Sequence, residues 1–228
     1  MGHKKTDGQS GGGGYLPVGK CSPPRLWCPP MTAPVSPTKI GLQDRILEAA
    51  TELFAERGYG STSIREVVER VGCTKPALYY YFDSKEALYL ETIRRPLLEF
   101  TALAQQALEH PGDVGTRLHD FIDNVMNHMV SKPAANRLLL SLPARPEKGQ
   151  PCTLQGAMEH DPAIPLRALV ADAQQRGQLR ATVDPDDLAS AILSLIHHHC
   201  LVFSFKDERP PPDVARRIVD LLLHGASP

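Results

Sequence analysis

The chain has 228 residues, 42% of them apolar and 22% charged, enough for one or two globular domains with ordinary cores. The most apolar stretch, residues 188–205, is broken by Ser194 and three histidines, so no uninterrupted run reaches the roughly 18 residues of a membrane span, which excludes a spanning protein. Lys plus Arg, at 25, nearly balances Asp plus Glu, at 26, so the whole chain lacks the positive excess that usually accompanies nucleic-acid binding.

Residues 1–38 hold 7 Gly and 7 Pro, with Lys4, Lys5, Lys20 and Arg25 against Asp7 alone. Such a stretch cannot bury enough apolar surface to offset its ordering entropy, and it is expected to be a disordered basic tail. It lacks the apolar core of a signal peptide. The change to patterned sequence soon after Met31 makes that methionine a candidate start. Five scattered cysteines (Cys21, Cys28, Cys73, Cys152, Cys200), without Cys-x-x-Cys spacing, fit a reducing cytoplasm rather than a disulfide framework or a zinc ribbon.

From about residue 39 the pattern becomes helical. Residues 41–57 place Ile46, Ala49, Ala50, Leu53 and Phe54 three and four apart, an amphipathic stripe that Gly58 is expected to end. Ser63 and Glu66 form a capping box for a second helix, residues 64–71, which buries Ile64, Val67, Val68 and Val71. Gly72 permits a sharp turn. Thr74 then caps a third helix, residues 75–82, whose first turn tolerates Pro76 because N–H groups there have no intrahelical partner. Two short helices joined by a tight glycine-containing turn make a helix-turn-helix.

The third helix carries Tyr79-Tyr80-Tyr81, and five of the chain's six tyrosines lie between positions 59 and 89. Successive helical residues point about 100° apart, so at least one of the three adjacent rings must face solvent or a partner. Phenolic hydroxyls donate well to phosphate oxygens, and a reading helix meets DNA mainly near its N-terminus, here Thr74, Lys75, Pro76 and Ala77. Asp83 and Glu86 are expected to cap a fourth helix with Lys85 in its first turn. The helix dipole disfavours a cation there, and a nearby phosphate would explain its placement.

Gly58-Tyr59-Gly60-Ser61-Thr62-Ser63-Ile64-Arg65-Glu66-Val67 opens the pattern. The elements Gly72-x-Thr74-Lys75, Leu78-Tyr79-x-Tyr81-Phe82 and Ser84-Lys85-Glu86-x-Leu88 follow, and together they resemble the DNA-binding domain of the tetracycline-repressor (TetR) family. The resemblance implies an all-α fold, with a three-helix DNA-binding domain at residues 39–95 and a helical ligand-binding and dimerisation domain at 96–228. It implies that Tyr79, Tyr80, Tyr81 and Lys85 approach phosphates while Lys75, Pro76 and Ala77 approach bases; Ser63 and Thr74 complete the expected DNA-binding set. Val68 stands where the family usually has alanine, and Pro76 where it usually has glycine.

Beyond residue 96 the signals remain helical. Pro96 is expected to interrupt the fourth helix at the joint between reader and ligand domain, as a hinge or as a passive kink. Further helices are expected at about 113–130, 134–142 and 165–176, with a long loop containing Pro143, Pro146, Gly149, Pro151 and Gly156 before the last. Phe100, Phe121, Met126, His128, Met129 and Met158 would suit an apolar ligand cavity, and equally an ordinary core. Asp184-Pro185-Asp186-Asp187 starts a helix that is apolar nearly all round to Phe203, and a final helix covers residues 212–224. By the resemblance this pair builds a homodimer interface through Leu188, Ile192, Leu195, Ile218 and Leu222.

His197-His198-His199 invites a metal reading, but only pairs such as His197 with Cys200, or His119 with Asp123, would share a helix face, and each pair is two ligands short. No metal site and no cofactor are expected. Nucleophile-elbow, phosphate-loop and His-Glu-x-x-His motifs are absent from the sequence, which argues against an enzyme. The expected function is a cytoplasmic, homodimeric regulator, most simply a repressor, that releases a double-stranded DNA operator when a small molecule binds; no membrane partner is expected. A metal-responsive regulator of the same fold and a helical adaptor without specific DNA binding remain the alternatives.

Overall fold

The computed structural model describes residues 41–142, 150–151, 161–206 and 208–225. The tail at 1–38 with Met31, the loop residues Pro143, Pro146, Gly149 and Gly156, and Met158 lie outside the described residues. Among those described there are nine helices and no strand, so the chain is all-α. They are α1 (Leu42–Ser61), α2 (Ile64–Val71), α3 (Lys75–Tyr81), α4 (Lys85–Glu109), α5 (Val114–Ser131), α6 (Pro133–Leu140), α7 (Ala163–Gln175), α8 (Pro185–Lys206) and α9 (Val214–His224).

Local chemistry sets the first corners. Gly58 adopts φ 77°, a left-handed conformation that breaks the helical path of α1, and one further turn follows to Ser61. Buried Thr62 secures this corner by donating to the carbonyls of Gly58 (2.9 Å) and Leu53 (3.2 Å). Ser63 and Glu66 form the reciprocal capping box on α2, and Gly72 ends that helix at φ 73°, ψ 38°. Arg45 of α1 donates to the Val71 carbonyl at 2.7 Å, placing a cation at the C-terminus of α2, where the dipole favours it.

Two apolar clusters organise the fold. The first joins Ile46, Leu53 and Phe54 of α1 to Val67, Leu78, Leu88, Tyr89 and Ile93, and it also takes in Leu138 from α6. The second gathers Ala104 and Ala107 of α4 with Leu118, Ile122, Leu166, Leu169, Ile192, Ile196 and Ile218. Each leucine, isoleucine, valine or phenylalanine among them contributes on the order of 1.5–3 kcal/mol on removal from water, before ordering costs. α4 therefore belongs to both clusters, its first half to the reader and its last turns to the body behind it.

Two expectations about α4 need correction. Ser84, rather than Asp83 with Glu86, caps α4, its hydroxyl accepting from the Ala87 N–H at 3.0 Å. Pro96 does not interrupt the helix, which runs through it to Glu109. Its ring is buried, and the packing around Thr92 and Ile93 offsets one missing hydrogen bond. On α5, His119 and Asp123 are four residues apart, as expected of a shared face; His119 sits 3.3 Å from Asp120, and Asp123 accepts from Asn127 at 2.9 Å.

The Asp184 carboxylate caps α8, accepting from the N–H groups of Asp186 (2.7 Å) and Asp187 (3.3 Å). Residues Pro185–Ser204 have a mean hydropathy of 1.2, so by length and composition this helix could cross a bilayer, a correction to the exclusion drawn from uninterrupted runs. In the fold it is a core helix on one side, where Ala189, Ile192, Ile196 and Cys200 are buried against α5, α7 and α9. Ile192 and Ile218, expected at a dimer interface, are therefore committed to the chain's own core. Leu188, Leu195 and Leu222 are partly buried, Leu221 is half exposed, and Ser190, Ser194, His197 and His198 face outward.

Candidate nucleic-acid interface

The reading end is built by α2, α3 and the start of α4. Thr74 caps α3 through a hydrogen bond accepted from the Ala77 N–H at 3.3 Å. Pro76 occupies the second helical position, whose missing N–H costs the helix nothing. Leu78 alone of this helix is fully buried and anchors it, leaving Thr74, Lys75 and Pro76 exposed and Ala77 partly so.

Tyr79, Tyr80 and Tyr81 are all exposed, Tyr80 to 83%. Tyr80 and Tyr81 meet edge to face at 5.0 Å, which presents two hydroxyl-bearing rings together. An exposed aromatic cluster on so short a helix leaves apolar surface in water that a partner would cover. Ser63 is exposed, but its hydroxyl is engaged with Glu66 at 2.8 Å, and that hydrogen bond holds the Glu66 carboxyl below the usual carboxylate range.

The electrically neutral reader resolves into paired and unpaired charges. Arg57 pairs with Glu66, Arg65 with Glu69, Arg70 with Glu52 and Glu56, Arg94 with Glu91, and Arg95 with Asp44. Among the described residues Lys75 and Lys85 form no such ion pair, and both sit at the reading end. Lys85 Nζ rests 4.2 Å above the centre of the Tyr59 ring, and partial burial lowers its pKa from the ordinary lysine value. Tyr59 and Arg45 are the contributors that sequence reasoning missed. Tyr59 stands beside Gly58 in the quoted motif, but its contact with Lys85 spans a turn and two helices.

The expected cavity residues separate. Met126 and Met129 line a cavity of about 280 Å3 with Asn136, Arg137, Cys200 and Phe203, between α5, α6 and α8. Phe100 and His128 instead pack edge to face at 5.5 Å, with His128 Nε2 3.0 Å from Glu99, and Phe121 lies in the second core cluster. Among the described residues no three His, Cys, Asp or Glu side chains group to hold a metal ion, and His197 and Cys200 point to solvent and core respectively.

Comparison with known proteins matches residues 46–92 to the model of bacterial regulatory proteins of the tetR family, and residues 108–222 to a tetracyclin repressor-like C-terminal domain. An uncharacterized HTH-type transcriptional regulator of Bacillus subtilis, YdgC, is 27% identical over 188 residues, covering 81% of this chain and 92% of its own. The TetR-family regulator PfmR of Thermus thermophilus superposes with a TM-score of 0.67 at 28% identity, covering 85% of this chain and 100% of that one. The FadR regulator of B. subtilis, solved with stearoyl-CoA, shares the fold with a TM-score of 0.70 at 16% identity, covering 80% and 98%. The helix-turn-helix of α2 and α3, the helical body behind it and both family matches agree: the chain belongs to the tetR family of bacterial regulatory proteins and is a DNA-binding transcriptional regulator, not a member of an enzyme family.

Proposed function

We propose that the chain is a cytoplasmic repressor that binds a pseudo-palindromic double-stranded DNA operator as a homodimer and leaves it when a small molecule enters residues 96–228. Residues 39–95 form the reader. Lys75, Pro76 and Ala77 approach base edges; Ser63, Thr74, Tyr79, Tyr80, Tyr81 and Lys85 approach the phosphate backbone. The observation that carries this reading is the pairing pattern. Among the described residues the reader's other cations are taken up by carboxylates or a helix end, whereas Lys75 and Lys85 form no ion pair and stand beside three exposed tyrosines.

Dimerisation through the outward faces of α8 and α9 is supported by a helix apolar nearly all round whose core face uses only part of its circumference. Leu188, Leu195 and Leu222, with exposed Leu221, remain for that contact. The cavity lined by Met126 and Met129 is the favoured place for the effector, which must bind the DNA-released arrangement better than the bound one. No cofactor is needed for this cycle.

Selection of genomic fragments by the full-length protein tests the reading. The expected result is a pseudo-palindrome with half-sites about 34–36 Å apart, or a multiple of that spacing, because a two-fold dimer presents two reading helices one or more DNA turns apart. Retention of fragments without sequence preference would overturn it in favour of a helical adaptor.

A further inference from the structure

A cleft of about 390 Å3 opens between the reader and the helices behind it, and it is walled by α1, by α4 around Pro96 and by the start of α6. Its lining shares only Pro133 with that of the cavity lined by Met126 and Met129. Its volume lies in the range of small-molecule sites, and Leu47, Pro96 and Pro133 give it an apolar floor.

The polar groups around that floor are mostly acceptors. Asp44 already holds Arg95 at 2.7 Å, Glu99 holds Lys132 at 2.5 Å with His128 at 3.0 Å, and Glu52 holds Arg70 at 3.1 Å. Both cations lining the cleft are thus matched, and the Glu48 carboxylate is left without a partner among the described residues. A second acceptor comes from the backbone. Pro96 has no N–H, so the carbonyl of Thr92, a residue 1% exposed in the same wall, has lost its helical donor. With Asp44, Glu48, Glu52 and Glu99 against Arg95 and Lys132, the lining disfavours an anion and favours a donor bearing positive charge.

We propose that this cleft binds a small organic cation, an ammonium carried on an apolar body. The ammonium donates to Glu48 and the Thr92 carbonyl, and the body lies on Leu47, Pro96 and Pro133. Such a ligand touches α1 of the reader together with α4 and α6, so it ties the orientation of the reading helix to its own occupancy. Operator affinity then changes by the ligand's preference between the two arrangements, whatever occupies the other cavity. The inference goes beyond the operator and effector reading and is tested without DNA.

Isothermal titration of the full-length protein with 4-phenylbutylammonium, 4-phenylbutan-1-ol and 4-phenylbutyrate separates charge from apolar fit. The ammonium is expected to bind at least about tenfold more tightly than the alcohol, and the carboxylate more weakly than either. Glu48→Gln, a conservative change at an exposed position, should remove the preference for the ammonium while leaving alcohol binding unchanged. Ala134→Phe, which fills the cleft, should weaken both. Equal affinity for ammonium and alcohol, a preference that survives Glu48→Gln, or no heat of binding up to about 5 mM would overturn the proposal. Undiminished ammonium binding by a folded Ala134→Phe protein would do the same.

Discussion

Lys85 Nζ lies over the ring of Tyr59, which itself packs against Phe54 and Tyr89 with centroids 6.0 and 4.8 Å away. The three aromatic residues form a shelf that holds the ammonium at the start of α4, against the preference of the helix dipole. Lys85→Ala should therefore weaken operator binding across sequences and reduce the slope of log affinity against log salt by about one unit, read by fluorescence anisotropy at several salt concentrations. Tyr59→Leu keeps apolar volume but removes the ring face and should lower operator affinity about twofold to fivefold, whereas Tyr59→Phe should not. An unchanged slope for Lys85→Ala would remove Lys85 from the phosphate contacts.

Arg117 is fully buried, and its guanidinium donates to the carbonyls of Ala107 (3.0 Å) and Leu108 at the end of α4 and to the Asp172 carboxylate on α7. One side chain thus satisfies the C-terminus of α4 and ties it to α5 and α7. Arg117→Met would leave two carbonyls without their guanidinium donor and Asp172 with Arg176 alone. The expected loss is about 3 kcal/mol or more, measured by urea denaturation at neutral pH. A loss below about 1 kcal/mol would show that water replaces the guanidinium.

Burial lowers the pKa of His128 from its ordinary 6.5; Glu99 opposes the shift and Lys132 adds to it. The unfolded chain then takes up this proton at a higher pH than the folded one. The stabilising difference is complete above about pH 6.5 and is lost as pH falls through that value toward the lower folded pKa. His199 shifts in the same direction, also through burial. Between about pH 7 and pH 5 the denaturation midpoint should fall, and in His128→Gln it should fall less. Identical pH profiles would mean that His128 is open to water in solution.

Cys200 is buried, its sulfur 3.9 Å from that of Met126, and its thiol is pushed up to about 12. Because the thiolate is the reactive form, iodoacetamide at about pH 8 should leave Cys200 unmodified in the native protein and label it after denaturation. Peptide mass spectrometry distinguishes the two. Rapid native labelling would mean that α8 opens away from α5.

The helix-turn-helix is legible in the residues because its decisive hydrogen bonds are short in sequence. The Ser63–Glu66 box, the left-handed Gly72 and the Thr74 cap each join groups within four residues of one another. The cap of α4 is less so. Asp83 and Ser84 are neighbouring candidates, and only the packing of Leu88 and Tyr89 into the reader core selects the register that makes Ser84 the cap. Pro96 shows the same limit from the other side, since the cost of one lost backbone bond is a local quantity and the burial that offsets it is not.

By itself the sequence determined the helical class, the caps of α2, α3 and α8, the reading helix with its three tyrosines and the family pattern, because period, spacing and local hydrogen bonding are properties of neighbouring residues. The tertiary structure alone decided which arginines are consumed in ion pairs and that Tyr59 carries Lys85. It also decided that Ile192 and Ile218 face inward and that a cleft opens beside Pro96. These depend on which faces of distant helices meet, and a helix apolar nearly all round does not specify its inward face until its neighbours occupy it.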